Sequence, residues 1–208
     1  MTDGKPRPDR NSRREAILDV AAEVFMECGY AAASMSAIAA RVGGSKGTLY
    51  NYFRSKEQLF AAYVERQCLW QQTLMDQRMS QATDVRDALT SVGRTLLTMV
   101  VSGFGLRNFT IIAAEAARVP EIGQAFYEAG PRRGLALVAQ YVARASAAGD
   151  LRPCDPERAA HHFVGLCQHR LFKARLCNAA PEPSEADVEA EVAAAIEVFM
   201  AAYGPLPD

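Results

Sequence analysis

Apolar residues recur at spacings of three and four along most of this chain, and runs that alternate with period two are few. Ile17, Ala21, Val24, Phe25 and Cys28 form one such stripe. They predict a helix from about Arg10 to Cys28, ended by Gly29. Ser34 is a good N-cap for a second helix, whose apolar face is Ile38, Ala39 and Val42. Gly43 and Gly44 stop it, since glycine tolerates the left-handed backbone that a helix end often needs. Ser45 caps a third helix, which runs through Lys46, Gly47, Thr48, Leu49, Tyr50, Asn51 and Tyr52. Leu49 and Phe53 can face the second helix, and Lys46, Thr48, Tyr50 and Asn51 are left to look outward. A helix, a short glycine turn and a polar-faced helix make a helix-turn-helix, the arrangement that reads DNA grooves.

The pattern beyond this point stays helical. Ser55 with Gln58 resembles a capping box and opens a long helix to about Met79, with Leu59, Phe60, Tyr63, Gln67, Trp70 and Leu74 on its buried side. Val85, Leu89, Val92, Leu96 and Met99 stripe the next helix, over about 84–102, and another covers about 106–118. From Pro120 to Gly149 a short helix and a longer one are expected, interrupted at Gly130-Pro131. Asp155-Pro156 opens a helix to about Cys177, in the favoured order of cap then proline. Ser184 caps a last one, to about Tyr203. Alanine is abundant and β-branched residues are sparse, so the fold class is all-α: a three-helix helix-turn-helix domain followed by a larger helical domain. The expected divisions are a basic tail over 1–9, the helix-turn-helix domain over 10–56 and the helical domain over 57–208.

Composition adds limits. The chain has 208 residues, 50% hydrophobic and 23% charged, which suits one or two globular domains. Net charge is −1, yet residues 1–60 hold nine Lys or Arg against seven Asp or Glu. Lys5, Arg7, Arg10, Arg13 and Arg14 crowd the start, the electrostatic footprint of a DNA-binding end. No apolar leader or membrane-length stretch is apparent, and the five cysteines are irregularly spaced. A reducing cytoplasm is the expected compartment.

A family resemblance rests on specific residues. The ordered set Gly29-Tyr30, Ile38-Ala39, Gly43, Ser45-Lys46-Gly47-Thr48-Leu49-Tyr50, Tyr52-Phe53 and Ser55-Lys56-Glu57-Gln58-Leu59 resembles the N-terminal domain of TetR-family transcriptional regulators. The segment from Glu115 to Pro131 is similar to the effector domain of the AefR-like branch. Two positions depart from the family pattern: Gly44, usually β-branched, and Asn51, often histidine.

The resemblance and the helix-turn-helix together nominate Ser34, Ser45, Lys46, Gly47, Thr48, Tyr50, Asn51 and Lys56 as DNA-binding residues. Only residues near the N-terminus and on the outer face of a groove-bound helix reach base edges. Gly47 lets backbone approach, Thr48 suits a thymine methyl, and Ser34, Tyr50, Asn51 and Lys56 suit phosphates. The resemblance further implies a homodimer. The helices over 156–177 and 185–203 would pair with their two-fold mates, with Phe163, Cys167, Leu171, Val192, Ile196 and Phe199 at the interface. It also implies a small-molecule effector. Phe104, Phe109, Phe126 and Tyr141, with Tyr127, could line its pocket or simply fill the core; His162 stands at an expected pocket rim or helix interface.

His161, His162, His169 and Cys167 share one helix, but its apolar stripe favours packing over a metal site, and neither metal nor cofactor is expected. Cys154, beside Arg152 and a helix start, is the best thiol for oxidant sensing; Cys28, Cys68 and Cys167 look like core residues. No nucleophile–base–acid arrangement or phosphate-cradling loop is present, so an enzyme is not expected. The expected protein is a repressor released from a pseudo-palindromic operator in double-stranded DNA by a small molecule, with no membrane partner. The alternatives are an activator without inducer and a small helical enzyme or carrier with a degenerate head.

Overall fold

The computed structural model describes residues 10–43 and 45–205; the expected tail over 1–9 and Gly44 lie outside them. Among the described residues there is no strand, and the fold is all-α. The helices are α1 (Arg10–Ala32), α2 (Met35–Val42), α3 (Lys46–Tyr50), α4 (Lys56–Gln81), α5 (Val85–Val101), α6 (Gly103–Ala116), α7 (Pro120–Tyr127), α8 (Arg133–Ala148), α9 (Pro156–Leu176) and α10 (Glu185–Tyr203). Among the described residues, no single helix is long and apolar enough to cross a membrane.

Local chemistry places the helix ends. Ser34 Oγ accepts from the Ala37 amide and Ser45 Oγ from the Thr48 amide, both at 3.1 Å. Asp155 caps α9 through the amides of Glu157 and Arg158, and Ser184 with Asp187 forms a full capping box on α10. Gly29 has φ 77° and ψ 166°, open only to glycine, and it breaks the body of α1 where the sequence pattern places the end. The expected interruption at Gly130-Pro131 takes the form of a single π-helical turn, Glu128–Arg132, which accommodates the proline.

The chain forms two compact units. Of the described residues, the first takes those up to 67 and 111–126, and the second 68–110 and those from 127 on. This differs from a cut at residue 56. The first turns of α4 bury Leu59, Phe60, Tyr63 and Val64 in the first unit, where Phe25, Tyr30, Phe60 and Tyr63 form an aromatic cluster with centroids 4.8–6.0 Å apart. Beyond Gln67, Cys68, Met75 and Met79 are the buried residues of α4. Trp70, expected on the buried side, is 66% exposed, because the buried face changes where the helix passes from one unit to the other. Cys28 is likewise exposed rather than core.

The core of the second unit is made by α5, α8, α9 and α10, around Leu89, Val92, Val142, Phe163, Cys167, Val192 and Phe199. Phe163 and Phe199 meet edge to face at 5.6 Å. Gly93 brings α5 so close that an added Cβ would lie 2.9 Å from Val192 Cγ1. This corrects the interface expectation: Phe163, Cys167, Leu171, Val192, Ile196 and Phe199 are all 9% exposed or less within one subunit. Their stripe is consumed by packing inside the chain, and little of it is left to meet a second copy.

Candidate nucleic-acid interface

The first unit presents α3 as a short, firmly based helix. Its anchor is apolar: Leu49 and Phe53 are each 2% exposed. With these two facing inward, the helical period turns Gly47 and Asn51 to the opposite side and Tyr50 to the flank; these three and Lys46, in the first turn, are exposed, with Thr48 half-buried. Ser45 Oγ, which accepts from the Thr48 amide, also lies 2.9 Å from Thr48 Oγ1. That contact fixes the threonine so that its methyl has one orientation. Lys46 Nζ lies 5.9 Å from the centre of the Tyr50 ring, so cation and phenol form one patch. Gly43 ends α2 in the left-handed region, φ 72°, its amide bonding to the carbonyls of Ala39 and Ala40. Ser34 is exposed at the start of α2, where its hydroxyl hydrogen is free of the capping bond. Arg14 of α1 sits 5.4 Å above the Phe53 ring, beside α3.

Six of the eight nominated residues, Ser45, Lys46, Gly47, Thr48, Tyr50 and Asn51, thus lie on α3 and its caps, and a seventh, Ser34, caps α2. The eighth, Lys56, has partners within the chain. Lys56 does not stand free for a phosphate: its Nζ donates to the carbonyls of Tyr30 at 2.7 Å, Ala33 at 3.1 Å and Ala31 at 3.4 Å. It also lies 4.2 Å from the Tyr30 ring centre. The Tyr30 hydroxyl donates to Glu57 Oε1 at 3.0 Å. Burial first, then that carboxylate, hold the Tyr30 phenol well above its ordinary pKa. Glu57 is held below the usual carboxylate value, chiefly by a hydrogen bond from Ser55. Sequence reasoning did not find this lock, because its partners stand 23 to 26 residues apart.

The nominated pocket residues have these surroundings. Phe109 meets Phe172 edge to face at 5.3 Å, and Tyr141 lies 6.0 Å from the Arg144 guanidinium. Phe104 and Tyr127 are 37% and 50% exposed. Phe126 belongs to the first unit and the other nominated residues to the second. His162 is exposed, with Nδ1 2.6 Å from the Tyr203 hydroxyl, so it closes the seam between α9 and α10 instead of lining a pocket. Among the described residues, no group of three or more His, Cys, Asp or Glu could hold a metal ion. The thiol nominated for sensing is not activated: burial and Asp155 raise the pKa of Cys154, the opposite of what a sensor requires.

Comparison with known proteins decides the family. Residues 17–63 match the model of bacterial regulatory proteins of the tetR family, and residues 87–205 match the C-terminal domain of AefR-like transcriptional repressors. The chain belongs to the TetR family. It is therefore a DNA-binding transcriptional regulator and not an enzyme. Its fold is similar to that of a TetR-family regulator from Mesorhizobium loti, with TM-score 0.88 and 28% identity over 95% of this chain and 100% of that one. The flavonoid-responsive regulator FrrA is similar at TM-score 0.78 and 31% identity, with the same coverage. The transcriptional activator FasR of Mycolicibacterium smegmatis is 47% identical over 60 residues, 29% of this chain and 27% of FasR. That likeness is local and does not extend to most of FasR.

Proposed function

We propose that this TetR-family regulator is a homodimeric repressor of the bacterial cytoplasm, released from a pseudo-palindromic operator by a small molecule. The observation that carries the DNA half is the α3 surface. Lys46, Gly47, Tyr50 and Asn51 are exposed together on a helix anchored by Leu49 and Phe53. The similarity of residues 87–205 to AefR-like repressors supports repression over activation, since the likeness to an activator is confined to 60 residues.

Dimer formation uses the outer faces of α9 and α10, not the stripe buried within the subunit. Gly165, His169 and Leu176 on α9, and Ala190, Ala194, Val198 and Ala201 on α10, are exposed on the sides opposite the core. Small residues there let two helix pairs approach closely, and a two-fold pair of heads reads two half-sites.

The effector site lies in the second unit, and the Phe109–Phe172 pair is its candidate aromatic lining. Release is a population shift: the effector binds one of two states better, and the operator the other. Because α4, α6 and α7 each belong in part to both units, they are the covalent route for the shift. FrrA is flavonoid-responsive and covers nearly the whole chain, which makes flavonoids the first compounds to test. Operator affinity measured with a saturating flavonoid should fall by about 5- to 150-fold, the usual span of such coupling. An unchanged affinity removes that compound as the effector.

A further inference from the structure

We propose that Lys56 is a positioning residue for operator binding: its ammonium locks the end of α1 to the start of α4, and the pose of α2 and α3 on DNA depends on that lock. The proposal rests on the reading of α3 as the base-reading helix.

The geometry is specific. The last carbonyls of a helix lack partners and carry the negative end of its dipole. Lys56, the first residue of α4, meets three carbonyls of this link, those of Tyr30, Ala31 and Ala33, and an ammonium has three N–H donors. Its position over the Tyr30 ring adds a fourth contact. To reach a phosphate, the ammonium would have to leave all four. The neighbouring residue ties the same tyrosine from the other end, since Glu57 accepts from the Tyr30 hydroxyl.

What is locked matters for function. Residues 30–33 lie between Gly29, where the backbone turns at φ 77°, and Ser34, the N-cap of α2. A glycine turn alone leaves the direction of departure loose. The ammonium fixes three successive points beyond it, and so sets the direction in which α2 leaves; α3 packs on α2. Loss of the lock leaves every DNA-facing side chain in place but lets their common frame drift. A drifting frame weakens base-edge contacts, which demand alignment, and spares phosphate attraction, which does not.

The test compares the full-length protein with Lys56→Met, Lys56→Arg and Lys46→Ala, on operator and on random duplex, across salt concentrations. Lys56→Met should lose about tenfold or more on the operator, the scale of a single mismatched base pair, with its affinity for random DNA and its salt slope unchanged. Lys56→Arg should restore part of the operator affinity. Lys46→Ala, which removes an exposed cation, should weaken both and lower the slope by about 0.9. An equal loss on both DNAs with a slope reduced by about 0.9 would make Lys56 a phosphate contact and overturn the proposal, as would an unchanged operator affinity. Should Lys56→Met not fold, Tyr30→Phe, which removes the second tie alone, carries the same test with a smaller loss of the same selective kind. Hydrogen exchange in the DNA-free protein judges the lock by itself. The amides of residues 31–34 should exchange faster in Lys56→Met while those of α9 and α10 do not, and unchanged exchange overturns the lock. If the wild type shows no preference for any operator over random DNA, the base-reading assignment fails instead.

Discussion

Leu49 and Phe53 give α3 its orientation, and the consequence reaches each side chain around them. Beside them, Lys46 and Tyr50 are exposed and form one patch. Tyr50→Ala should lower operator affinity by about 1–3 kcal/mol, measured by titration of labelled operator, and an unchanged affinity would remove Tyr50 from the interface. The thiols differ for equally local reasons. Burial pushes Cys167 up to about 12, so it should resist a thiol reagent at pH 8 until the protein unfolds, whereas exposed Cys28 and Cys177 should label in the native state. Peptide mapping of the labelled protein checks this, and early labelling of Cys167 would contradict its place in the core. Glu57 carries a pH dependence with a definite sign. Its folded pKa is lowered, so its stabilisation is present above the ordinary carboxylate pKa and is lost as pH falls through the lowered one. Acid titration of stability in Glu57→Gln should lack that part of the decline.

At the scale of helices, the ends were legible in the sequence and the faces only partly so. Ser34, Ser45, Asp155 and Ser184 act on amides two or three residues away, so their effect is written locally. Trp70 was misplaced because the face that α4 buries is set by which unit each turn packs against, and periodicity within one helix does not contain that. The stripes of α9 and α10 show a related limit. Spacing reveals that Phe163, Val192 and Phe199 are covered, but not whether their own chain or a second copy covers them. Here α5 does, through the close approach at Gly93. Gly93→Ala places a methyl 2.9 Å from Val192 and 3.3 Å from both Cys167 and Phe163. Overpacking of about 1–3 kcal/mol exceeds the helix propensity gained. A lower melting temperature is expected, and a higher one would mean that the core has slack at that point. The partners of Lys56 were out of reach for the same reason as those of the stripes: the carbonyls that its ammonium meets stand 23 to 26 residues away in sequence.

At the scale of the molecule, the account needs two copies acting on one duplex. In the proposed dimer the outer surfaces of α9 and α10 meet that requirement, so Ala194→Arg should yield a folded monomer by sedimentation and abolish tight operator binding; a dimer that survives would move the interface elsewhere. The central claim, that α3 reads bases as half of a symmetric pair, is tested most directly by selecting duplexes from a random library with the full-length protein at two salt concentrations. The account predicts a pseudo-palindrome whose half-sites are centred about 34 Å or a multiple of that apart, with affinity falling steeply as salt rises. Retention of duplexes with no common sequence, or binding absent at physiological salt, would contradict it.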